Sequence, residues 1–182
     1  MRKQNRTKYT VLGMLSLENM TGYEITKIIK VSINNFWAES EGQIYPALAQ
    51  CVDEELATCK EVKTKENKRS KKIYSITAKG KKELKEWLKK EAQETQVRNE
   101  LLLKLFYGAN IDSKDNIQHL THHQKQVENE LASYEVLQEN LKKDHKDSPH
   151  LKYWLITINC ALKILKAELA WCKESLKTLA VN

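Results

Sequence analysis

Ser40-Glu41-Gly42-Gln43-Ile44-Tyr45-Pro46-Ala47-Leu48 opens a helix, and the residues that follow it decide the fold. Ser40 and Gln43 have the spacing of a capping box, and Pro46 must lie near the first turn, where its missing N–H costs least. This helix is expected to run to about Glu55. Two strand-like runs come next, residues 56–62 and 71–76, rich in β-branched and aromatic side chains. Between them lies Lys63-Thr64-Lys65-Glu66-Asn67-Lys68-Arg69-Ser70, polar and strongly basic. Two strands around such a loop read as a β-hairpin wing.

The pattern extends in both directions. Upstream, a periodic segment over residues 3–17 offers Val11, Leu12, Met14 and Leu15 as a buried face. Thr21 and Glu24 form a further capping box, starting a helix to about Ser32 that buries Ile25, Ile28 and Ile29. Phe36 and Trp37 are expected as core anchors in the connection. Downstream, Thr77 caps a helix that carries Leu84, Trp87 and Leu88 to about Lys90. Three helices, a basic hairpin and a fourth helix give a mainly α fold with an N-terminal winged helix-turn-helix, residues 1–90. Residues 91–182 change in composition. Leu101-Leu102-Leu103-Lys104-Leu105-Phe106 is a short apolar helix, and a longer one begins near Asp112. A final helix spaces Leu151, Leu155, Ile158, Leu162, Leu165, Leu169, Cys172, Leu176 and Leu179 by fours and threes, a seam that wants a partner helix. Trp154, Ile164 and Trp171 widen its apolar stripe. That favours a helical C-terminal dimerisation domain and a homodimer over a bundle closed within one chain.

Charge separates the two halves. Residues 1–90 hold 19 basic and 11 acidic side chains, and residues 91–182 hold 12 and 13, so the net +7 resides entirely in the first half. Such a half is suited to a polyanion. No uncharged apolar run approaches the roughly 18 residues of a membrane span, so no membrane partner is expected. Cys51, Cys59, Cys160 and Cys172 lack CxxC spacing and read as small core hydrophobes in a reducing compartment, hence a cytoplasmic location.

Several of these motifs together resemble the PadR family of transcriptional regulators. The likeness is carried by residues 11–15, by Thr21-Gly22-Tyr23-Glu24-Ile25, by Phe36 through Leu48 with its Gly-Gln-Ile-Tyr-Pro-Ala-Leu string, by residues 72–80 and by residues 98–106. Beyond residue 107 the similarity is one of architecture, to the subgroup with an extended helical C-terminal domain. The resemblance implies a homodimeric repressor with its third helices in successive major grooves of a pseudo-palindromic double-stranded DNA operator. It places Tyr23 and Lys27 toward the phosphate backbone, and Ser40, Gln43 and Tyr45 at the end of the recognition helix that approaches DNA. Gln can meet an adenine edge with two hydrogen bonds, and Lys68, Arg69, Lys71 and Lys72 can neutralise phosphates. Family members that sense flat aromatic compounds bind them near the dimer centre, which makes Trp154 and Trp171 pocket candidates as well as packing residues. Two positions depart from the family pattern: Glu55 stands where a glycine is usual, and Glu66-Asn67-Lys68-Arg69-Ser70 replaces a Gly-Arg-Pro-like wing tip.

Nothing in the chain supports an enzyme or a cofactor: no Gly-rich phosphate loop occurs, and no nucleophile has a base in a recognisable motif. His119 and His123 lie one helical turn apart, a spacing that can bind a metal, but nothing in their segment completes a set. The competing function is a dimeric helical adaptor whose winged helix binds a protein.

Overall fold

The computed structural model describes residues 6–33, 36–63, 70–93 and 98–180. The chain forms two compact units, Met1–Glu94 and Thr95–Asn182. The first contains α1 (Thr7–Leu17), α2 (Gly22–Ser32), α3 (Glu41–Asp53), β1 (Ala57–Lys63), β2 (Ser70–Ile76) and α4 (Ala78–Leu88). The second contains α5 (Glu100–Phe106), a 3-10 turn at Gly108–Asn110, α6 (Ser113–Asp144) and α7 (Leu151–Ala180).

The core of the first unit follows from helical periodicity. Leu12 and Leu15 of α1, Ile25 and Ile29 of α2, and Ile44, Leu48 and Cys51 of α3 are buried together. Tyr9 stacks on Trp87 with ring centroids 4.6 Å apart, which pins α1 to α4. The wing strands pair antiparallel from Ala57 opposite Ile76 to Lys63 opposite Ser70. Met20 exchanges two backbone hydrogen bonds with Tyr74, so the α1–α2 connection anchors the root of the wing. Phe36 departs from expectation: it is 55% exposed, while Trp37 is half-buried with its indole N–H donating to Glu39.

Helix α3 ends in a Schellman motif. Leu56 N–H donates to the Cys51 carbonyl and Glu55 N–H to that of Val52, which places Glu55 at φ 59°. The left-handed geometry suits glycine, and a side chain there costs roughly 1–2 kcal/mol. The Glu55–Lys79 ion pair at 3.1 Å is solvent-exposed and offsets little of this. Glu55→Gly is therefore expected to stabilise the first unit by about 1 kcal/mol, roughly 4–8 °C in its thermal midpoint. An unchanged or lower midpoint in a calorimetric melt would show that the side chain's contacts outweigh the strain.

In the second unit α6 and α7, joined by a short turn, form an antiparallel hairpin. Leu120 and Val127 of α6 are buried, as are Ile158, Ala161, Leu162, Leu165 and Cys172 of α7. The middle of the heptad seam is thus covered within one chain. Leu151, Leu155, Leu169 and Leu176 are half-buried along the same face. A second apolar face remains open on the opposite side of α7, where Tyr153, Ile156 and Ile164 are 58%, 64% and 60% exposed. The cysteine reading is corrected in part: Cys51 and Cys172 are buried, but Cys59 and Cys160 are exposed. Cys160 lies on the open face of α7, and Cys59 lies in a hairpin only two strands wide. Burial pushes the Cys51 thiol up to about 11, as expected of a packing residue.

Candidate nucleic-acid interface

Three elements of the first unit carry the residues expected to meet DNA. Tyr23, the second residue of α2, is 67% exposed, and Lys27 lies exposed one turn later. At the start of α3, Ser40, Gln43 and Tyr45 are exposed. Lys71 and Lys72 are exposed on β2, whereas Lys68 and Arg69 lie outside the described residues.

The helix starts are held by their caps. Thr21 N–H and hydroxyl both donate to Glu24 Oε2, at 2.8 and 2.9 Å, and Glu24 N–H returns a bond to Thr21 Oγ1. The Thr21 backbone bond, then its hydroxyl, hold the Glu24 carboxyl below the usual range, and the charge of Lys71 adds to this. At α3, Ser40 N–H and hydroxyl both donate to Gln43 Oε1 at 2.9 Å.

Sequence reasoning missed two positioning residues. A Cβ on Gly22 would stand 2.6 Å from the Tyr45 ring, so the missing side chain lets Tyr45 lie directly on the start of α2. Tyr74, buried on β2, has its hydroxyl pushed up by burial and by Cys59 beside it. Tyr45 and the Tyr23 end of α2 thus come together. The second residue is Glu39, 6% exposed, which accepts from Trp37 Nε1 at 2.7 Å and Thr7 Oγ1 at 3.0 Å. It ties α1 to the chain entering α3 and so places Ser40. The Gly22-Tyr45 pairing has no local sequence signal, since 23 residues separate the partners. Glu39 looks like any surface acid until the fold closes over it.

The interface offers phenol hydroxyls, an amide and ammonium groups on exposed helix starts and a strand. No cluster of three or more metal-ligating side chains occurs among the described residues. His123 instead lies with Nε2 2.8 Å from Glu168 Oε1, across the α6–α7 hairpin.

The two tryptophans are not brought together within one chain. Seventeen residues of α7 separate them, about 25 Å at 1.5 Å per residue. Trp154 stacks on His150 and meets His145 edge-on at the turn of the hairpin, and Trp171 lies edge-on to His123.

Comparison with known proteins bears on the fold. Residues 11–86 match the Transcriptional regulator PadR-like family, and residues 97–180 match the Virulence activator alpha C-term family. The negative transcriptional regulator PadR of Bacillus subtilis is 29% identical over 177 residues, spanning 93% of this chain and 94% of that protein. The crystal structure of that protein in complex with operator DNA superposes with a TM-score of 0.82 at 27% identity, covering 94% of this chain and 98% of that one. Its structure in complex with p-coumaric acid gives 0.75 at 25% identity, covering 99% of both chains. With a winged helix, a wing hairpin and an antiparallel C-terminal hairpin in this order, the chain carries a PadR-like transcriptional regulator domain over residues 11–86.

Proposed function

We propose that this regulator is a cytoplasmic repressor that binds a pseudo-palindromic operator as a homodimer and performs no chemistry of its own. The observation that carries the reading is the packing of Tyr45 on the Tyr23 end of α2, between elements whose starts are fixed by caps. Tyr23, Lys27 and Lys71 with Lys72 hold the phosphates, while Ser40, Gln43 and Tyr45 approach the base edges. The Bacillus subtilis relative is a negative regulator crystallised on its operator, in keeping with this assignment.

Dimerisation uses the open face of α7, Tyr153, Ile156, Cys160 and Ile164, because α6 already occupies the opposite face. The half-buried Leu151, Leu155, Leu169 and Leu176 border the contact. A small planar aromatic acid is the proposed effector, by analogy with the p-coumaric acid complex of the relative. Either Trp154 or Trp171 is the aromatic group proposed to meet it. The effector should perturb tryptophan emission and release operator DNA over one concentration range.

The direct test is equilibrium binding to the DNA upstream of the chain's own gene, as a function of salt. Lys71→Ala with Lys72→Ala should weaken operator and random DNA alike. The log–log salt dependence should flatten by roughly 0.9 for each phosphate that is no longer neutralised. A slope identical to that of the wild type would remove both lysines from the interface. A protein that binds no DNA at any salt would turn the assignment toward a protein-binding adaptor.

A further inference from the structure

We propose that Gln43 reads DNA with one hand, through its amide N–H alone, and leaves the 6-amino group of adenine unread. The inference rests on the DNA-binding assignment above and makes it specific at one side chain. The Ser40 backbone N–H can only donate, so the atom of Gln43 facing it must be the carbonyl oxygen, and this fixes which way round the amide lies. The Ser40 hydroxyl donates to the same oxygen at the same 2.9 Å. An amide oxygen has two lone-pair sites, and Ser40 occupies both.

A two-handed contact with adenine needs the Gln oxygen to accept from N6–H while its nitrogen donates to N7. Here the oxygen is committed. Freeing it would break the Gln43 half of the capping box and leave the Ser40 N–H without its protein partner in the same step that forms the base contact, so that loss offsets the gain. What remains is Nε2, a donor on an exposed side chain at the first turn of the recognition helix. A lone donor fits acceptors: purine N7, guanine O6 or thymine O4. Ser40 thereby becomes a positioning residue, because its two donors hold the amide in the orientation that presents nitrogen outward.

Gln43→Glu tests this in the full-length chain. The carboxylate keeps an acceptor for Ser40 and loses the outward N–H. The thermal midpoint should be unchanged or raised, while affinity for duplexes selected by the wild type from a random library should fall at least tenfold. The drop for unselected DNA should be smaller. Gln43→Ala identifies the base position whose preference is relaxed. Guanine or thymine there, or an adenine replaceable by a purine lacking the 6-amino group within a twofold change in affinity, supports the one-handed contact. A tenfold loss on removing that amino group overturns it, as does Gln43→Glu binding within twofold of the wild type or Gln43→Ala relaxing no position. If the wild type enriches no sequence at all, the DNA-reading assignment fails and the inference with it. Enrichment that survives Gln43→Glu removes the inference alone.

Discussion

Gly80→Ala is expected to destabilise the first unit strongly, although alanine is the better helix former by about 1 kcal/mol. Gly80 is the third residue of α4, where its N–H donates to the Thr77 hydroxyl at 3.0 Å. Thr77 N–H in turn donates to the Leu56 carbonyl oxygen. A Cβ at Gly80 would collide with that same oxygen, and it would stand 2.9 Å from an Ile76 side-chain carbon. Backbone cannot yield as a flexible side chain does, and Leu56 is itself buried at the root of the wing. The expected cost is roughly 3 kcal/mol or more, from overpacking against atoms with nowhere to go. Trp87 fluorescence would report loss of the Tyr9 stack, and DNA binding would vanish with it. Gly42→Ala provides the contrast, since its nearest neighbour is the Ser40 hydroxyl at 3.7 Å, and it should be neutral or stabilising. A Gly80→Ala protein that melts at or above the wild-type midpoint would show that propensity outweighs the clash.

Ile156→Asp combined with Ile164→Asp should yield a folded monomer. Both side chains are exposed on the open face of α7, so each carboxylate stays in water when the chain is alone, but would be buried unpaired in the proposed dimer. Operator affinity should fall about 10²–10⁴-fold, because the second half-site is no longer held at high effective concentration. Leu162→Asp makes a different lesion. Leu162 is buried within the α6–α7 hairpin, so its charge should cost helicity along with assembly. Sedimentation equilibrium separates the cases, and a double variant that remains dimeric would move the interface elsewhere.

What could be read from the sequence was local. Thr21 with Glu24, Ser40 with Gln43, and Thr77 ahead of α4 announce helix starts over a few residues, and the structure places helices after each. The wing strands were legible from β-branched residues flanking a basic loop. The unusual Glu55 was visible only against the family pattern, and its φ of 59° supplies the physical reason a glycine is usual there. What could not be read was non-local. A heptad states that a helix has a partner but not which chain supplies it, so Ile158, Leu162 and Leu165 looked equally suited to a second copy. Phe36 has the chemistry of a core residue and stands exposed, which its residue type alone could not show. The Gln43 amide was legible as a DNA group and as a cap, but not that one oxygen is claimed by both roles.

Helix α7 has two working sides. One closes on α6 through Leu162, Leu165 and Cys172, and the other presents Tyr153, Ile156 and Ile164. Folding and the proposed choice of partner are thus written on separate sets of residues. A duplicated gene could diverge on the second set without eroding the first, and two descendants in one cell could become mutually blind by a few substitutions there. Mixed dimers, each carrying two unmatched reading heads, would then be avoided at no loss to the stability of either hairpin.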